Sequence, residues 1–326
     1  MNTGLRITAF AAAIVATFGT AYGVGASIDP VVAEKPPAAH DEHAEAGGEE
    51  AEGGHDGGTG QGGGASGAAG GLQISEGGYT LALDTPRVAA GKPTTLRFSV
   101  KDDSGRNLTS YEREHGKELH FIVASRDLTV YRHLHPTRAA DGTWSVAAKL
   151  PAAGGYRAFA DFKPAEKGAA GITLGADLAV SGESEPAALP PVRPTAEVDG
   201  YRVTLDGALA PGKARELTLT VSRNGEPVTD LQPYLGAYGH LVALRAGDLA
   251  YLHVHPNGEP DDGVTEPGPE VSFTATAPSP GAYRLFLDFQ HKGEVRTAAF
   301  TVDVPAAGAG ESKESKESEE SGSHGH

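Results

Sequence analysis

Two stretches 120 residues apart share one histidine spelling: ELHFIVASRDLTVYRHLHP ends at Pro136 and YGHLVALRAGDLAYLHVHP ends at Pro256. In each, a His is followed 13 residues later by His-x-His-Pro, giving His120, His133 and His135, then His240, His253 and His255. Neutral imidazole suits Cu(II) and Zn(II), and packing alone seldom needs the same triplet twice. The spacing predicts a metal site, made once in each copy.

The segments between these histidines read as β-hairpins: apolar and β-branched residues, a polar break, then more of the same. With Arg126-Asp127 and Ala246-Gly247 as the breaks, His120 faces His133 and His240 faces His253, their Cβ atoms about 5 Å apart. Residues two apart on a strand share a face, which adds His135 and His255.

Composition narrows the chemistry. The chain has 326 residues, no Cys and a single Met, the first residue. Thiolate and thioether ligands are therefore excluded, and with them a blue-copper centre and any disulfide. Any metal is left to His, carboxylate, backbone or water. The net charge of −16 gathers at the ends, with eight acids against Lys35 in 33–60 and five against two lysines in 305–326. No basic patch offers itself to phosphate, so nucleic acid is not an expected partner. No Gly-x-Ser-x-Gly or phosphate-loop motif is present, and no candidate base repeats beside the histidines, since Glu114 and Glu118 become Tyr234 and Tyr238. Binding, not catalysis, is the expectation.

The chain divides by composition. Residues 1–28, apolar from Ile7 to about Ala26, read as a signal peptide or an N-terminal membrane anchor; either puts the rest outside the cytoplasm. Residues 29–71 read as a disordered Gly/Glu/His-rich tether and 305–326 as a disordered acidic tail. Between them lie repeats at 72–181 and 198–304, joined by a Pro-rich linker, 182–197, expected to hold the two apart as independent units. GGYTLALD matches DGYRVTLD, and LPAAGGYRAFADF matches APSPGAYRLFLDF. Each repeat offers about seven short strand-like runs and no helix, which predicts an all-β fold of two tandem immunoglobulin-like β-sandwiches.

Gly154-x-Tyr156 and Gly281-x-Tyr283 resemble the tyrosine corner that opens strand F of such domains. With F beside the His hairpin, Asp161 and Asp288 meet the histidine ends as direct ligands or as orienting partners of a His. His115 and His291 have no counterpart in the other copy and read as surface residues.

The tandem Gly-His-Leu-Val…Leu-His-Val-His-Pro spelling resembles secreted or membrane-anchored actinobacterial proteins with YtkA/FixH-like immunoglobulin-type domains. The resemblance covers 78–304 and implies extracytoplasmic handling of copper or another heavy metal, with a further extracytoplasmic metal-handling protein as a partner. The expected ligands are His120, His133, His135, Asp161, His240, His253, His255 and Asp288, holding Cu(II) in preference to Zn(II). The competing reading is a cell-surface immunoglobulin-like interaction module whose histidines are structural.

Overall fold

The computed structural model describes residues 69–252 and 254–306. The expected N-terminal segment, almost all of the tether, the acidic tail and His253 lie outside these residues. Among the described residues every regular element is a strand, and no helix is long and apolar enough to cross a membrane.

The first repeat holds β1 (Ser75–Glu76), β2 (Tyr79–Leu83), β3 (Arg87–Ala89), β4 (Pro93–Asp102), β5 (Tyr111–Glu112) and β6 (Leu119–Ser125). It continues with β7 (Tyr131–Leu134), β8 (Thr137–Arg138), β9 (Trp144–Lys149), β10 (Gly154–Pro164) and β11 (Ile172–Ser181). One sheet runs β1-β2-β4-β9-β8; the other runs β3-β11-β10-β6-β7, with β5 against β10. The second repeat holds β12 (Thr195–Val198), β13 (Tyr201–Asp206), β14 (Ala214–Arg223), β15 (Glu226–Pro227), β16 (His240–Arg245) and β17 (Tyr251–Leu252). It ends with β18 (Val254–Pro256), β19 (Glu270–Thr276), β20 (Gly281–His291) and β21 (Glu294–Val304). Its sheets run β12-β13-β14-β19-β18, with β15 on β14, and β17-β16-β20-β21. Each repeat is an immunoglobulin-like β-sandwich. The tyrosine corner is present in both: Tyr156 Oη donates to the Ala152 carbonyl and Tyr283 Oη to that of Ser279, each at 2.8 Å.

The outer sheets follow the period of two that a half-buried strand requires, as in YRVTLD of β13, which alternates buried and exposed. The inner sheets do not. All seven residues of β6 are buried. Leu119, Phe121 and Val123 fill their own sandwich, while Ile122 and Ala124 pack against Val242, Leu244 and Phe286 of the second repeat. Tyr131 stacks on Phe286 with ring centroids 4.1 Å apart, and Phe159 meets Tyr251 at 5.7 Å. Burying each such side chain stabilises the pairing by roughly 1.5–3 kcal/mol. The expectation of two units held apart by a linker is therefore corrected. The sandwiches share an apolar interface, and Leu189 of the linker packs against it.

A short segment ties both halves together before the first strand begins. Gly71 N donates to the Thr173 carbonyl (2.8 Å) and Tyr251 N to the Gly70 carbonyl (2.9 Å). The buried Arg157 guanidinium grips the Gly71 and Leu72 carbonyls, both at 2.7 Å. The strap passes so close to β11 that a Cβ on Gly175 would stand 2.0 Å from the Gly71 oxygen; only glycine fits there.

A candidate metal centre between the two sandwiches

The alternation that sends Ile122 and Ala124 into the interface sends His120 there as well, at its end of β6. On β10 the same face carries Phe159 and Asp161; on β16 and β20 it carries His240, Val242, Phe286 and Asp288. Asp161 lies opposite His120 and Asp288 opposite His240. The hairpin register differs from expectation by two residues: Ile122, not His120, pairs with His133, and Ala243 pairs with Leu252. The loops are four residues long, closed by Ser125 N to the Val130 carbonyl and by Arg245 N to that of Ala250. A left-handed Leu sits in each, Leu128 (φ 57) and Leu249 (φ 63). A slip of two keeps every side chain on its face, so the histidines still converge.

They converge on one centre rather than two. His120, His133 and His135 form one group, and His133, His240 and Asp288 a second; within each, the candidate ligand atoms lie within 4.8 Å of one another. His133 belongs to both. His120 Nδ1 lies 3.1 Å from His133 Nε2, and His133 Nδ1 lies 2.9 Å from Asp288 Oδ2, across the domain boundary. His120 Nε2 lies 3.2 Å from the Glu114 carbonyl and donates to it. The His120 and His240 rings stack at 5.3 Å and 13°. Thr297 donates to Asp288, and Thr173 to Asp161 at 2.8 Å.

Two ring nitrogens have no hydrogen-bond partner although buried: His135 Nε2 and His240 Nδ1. Leaving such a group unpaired costs about 1–3 kcal/mol, and native structures hold few of them; Tyr131 Oη, Arg284 Nε and Arg296 Nε are the others among the described residues. Burial also favours the neutral rings. It pushes the His120 pKa down to about 4 and that of His135 to about 3, and holds His240 well below the ordinary value, with His133 nearby as the next cause in each case. Near neutral pH these three imidazoles carry lone pairs instead of a second proton, the state that coordinates metal. Burial and then the Asp288 charge raise the phenols of Tyr131 and Tyr234. The donors suit copper or zinc: nitrogen from both sandwiches, one carboxylate and no sulfur.

Not every expected residue arrives. Asp161 stands beside His120 but in neither group. His255 is exposed on β18, which pairs with β19 in the opposite sheet, His255 against Thr274. At His255 the chain has thus left the hairpin, whereas the equivalent His135 of copy one stays in the cluster. His253 lies outside the described residues. The surface assignment of His115 and His291 is corrected. The His115 ring stands 6.1 Å from both His120 and His240. His291 is buried, 2.7 Å from Tyr201 Oη and 2.9 Å from Asp230 Oδ1. Sequence reasoning missed His115 because a residue unmatched between repeats is invisible to an argument from repetition.

A family model described as a domain of unknown function (DUF8832) matches residues 73–173 and again 196–306. The match is to that family and not to the YtkA/FixH-like domains that the histidine spelling resembles. No curated protein matches the chain. Among solved structures, the Escherichia coli adhesin FdeC is 16% identical over 71% of this chain and 65% of its own, at a TM-score of 0.22. Invasin, a bacterial integrin-binding protein, is 13% identical over 72% and 41% at 0.22. A Salmonella alpha-2-macroglobulin is 13% identical over 72% and 15% at 0.24. The chain spans less than two thirds of each.

Proposed function

This chain belongs to the DUF8832 family through both of its repeats, and from that premise we propose that the pair of domains is an extracytoplasmic metal-binding module whose centre is shared between them. The ligands are His120, His133 and His135 from one sandwich and His240 and Asp288 from the other. The observation that carries the reading is the pair of orphaned nitrogens, His135 Nε2 and His240 Nδ1, buried in a cluster of neutral imidazoles. A metal ion would satisfy both where no described protein group does. Copper is favoured over zinc because nitrogen donors bind Cu(II) more tightly. The extracytoplasmic placement rests on the apolar run from Ile7 to about Ala26; a metal-handling partner outside the cytoplasm rests on the resemblance alone.

Binding to the folded state alone stabilises by about 2.7 kcal/mol at a hundredfold excess over the dissociation constant. Cu(II) or Zn(II) should therefore raise the melting temperature of the full chain as one transition, His133→Ala should abolish the rise, and His135→Ala or His240→Ala should reduce it. An unchanged melting temperature with both metals sinks the reading.

The second reading is a cell-surface interaction module with a structural histidine cluster. The run from Glu114 through His120 and His133 to Asp288 favours it, because these direct contacts by themselves join the two sandwiches. The adhesin and the integrin-binding protein named above are of that kind, but at TM-scores near 0.2 their partners do not transfer to this chain. It leaves the two orphaned nitrogens without an explanation and predicts no metal response.

A further inference from the structure

His133 is placed differently from every other member of the cluster. Its ring presents one nitrogen to each group: Nε2 is 3.1 Å from His120 Nδ1 and Nδ1 is 2.9 Å from Asp288 Oδ2. Each group has two further members, and the groups touch again where the His120 and His240 rings stack at 5.3 Å. His135, with centroids 4.9 Å from His133 and 6.1 Å from His120, completes the first. His240, 4.6 Å from His133, completes the second with Asp288. Each side also holds one of the two buried nitrogens without a partner, His135 Nε2 on the first and His240 Nδ1 on the second. One ion at the middle of the cluster engages a single nitrogen of His133 and leaves the other side as it was.

We propose that the centre is dinuclear, with the His133 ring as an imidazolate bridging two divalent copper or zinc ions. His120 and His135 hold one ion; His240 and Asp288 hold the other. This rests on the metal-binding reading above and extends it. Metal–nitrogen bonds of about 2.0–2.1 Å set the ions about 6 Å apart on the two ring nitrogens. The candidate atoms, now within 4.8 Å of one another, draw in to about 3.3 Å in a tetrahedral shell of that bond length.

The protons balance without any redox partner. The His120–His133 and His133–Asp288 contacts each hold a ring or carboxyl proton. Both leave to solvent as the two ions bind, and no electrons move. Most of the charge of a pair is met within the cluster. The imidazolate and the Asp288 carboxylate counter two of the four positive charges, and Asp161, opposite His120, supplies a third negative charge nearby. An uncompensated buried charge is costly, and the carboxylates at both ends of the cluster with the imidazolate cut the excess of the pair to a single positive charge.

The test is a Cu(II) titration of the full chain with the tail histidines His40, His43, His55, His324 and His326 replaced by Ala, followed by electron paramagnetic resonance. The expected result is two tightly bound equivalents, with the second reducing the integrated signal because the imidazolate couples the two spins. His240→Ala and, separately, Asp288→Asn should leave one equivalent with a full, uncoupled signal, and His133→Ala should lose both. Saturation at one equivalent, or two equivalents whose signals simply add, overturns the bridge and leaves the metal-binding reading standing. No binding at any ratio overturns both.

Discussion

The two histidine hairpins carry the same letters and do different things. In the first, β7 stays paired with β6 through Leu134, and the crossing to the other sheet waits until β8 at Thr137. In the second, the hairpin ends at Leu252 and the chain crosses at Val254, three residues earlier in register. That early crossing takes His255 out of the centre, while its counterpart His135 remains inside. The first sandwich therefore supplies three histidines and the second supplies His240 and Asp288. A motif names residues that could bind; the length of strand behind it decides which of them reach the cluster.

The comparison can be broken first at the interface that unites the halves. Phe286, 2% exposed and stacked on Tyr131, should cost about 3–5 kcal/mol on replacement by Ala, read by chemical denaturation. Metal affinity should fall with it, because ligands from both sandwiches lose their common wall. A stability loss within 1 kcal/mol would mean that the domains do not depend on each other.

Next comes the pair at equivalent positions. His135→Ala should weaken Cu(II) binding by more than about 100-fold, beyond what loss of an orienting partner costs, and His255→Ala by less than about twofold. Equal losses in a competition assay would erase the difference between the hairpins.

The metal-free protein offers a third handle. His120, His135 and His240 have folded pKa values below that of the free side chain. The unfolded chain thus takes up protons that the folded one refuses, and stability present above about pH 6.5 is lost as pH falls toward 4. Melting temperature against pH should show this decline, shallower in His135→Ala. A flat profile would contradict the burial of these rings.

The smallest effect is the control. Tyr156→Phe and Tyr283→Phe each remove one corner hydrogen bond and should cost about 0.5–1.5 kcal/mol alike, since here the two copies are the same.

The fold class and the meeting of His120 with Asp161, and of His240 with Asp288, were legible because strand pairing follows from period and turn. The register was off by two, a slip that changes no face. The interface was not read, although its signal was present. FIVA in β6, LVAL in β16 and RLFLDF in β20 run apolar without alternation, which marks strands covered on both sides. Sequence alone gives no sign of the crossing at Val254, since VHP and LHP are the same kind of tripeptide. Repetition argued for two sites, whereas among the described residues the shared face gathers the histidines into one cluster.

The strap at Gly70–Leu72 has a consequence in time rather than in energy. Its bond to Tyr251 closes a loop of about 180 residues, and contacts of such sequence separation form late. Made from its N-terminus, the chain offers Gly70 early and must wait for Tyr251. Until then the first sandwich holds Ile122, Phe159 and Tyr131 open to solvent, and the molecule is completed only when its second half arrives to cover them.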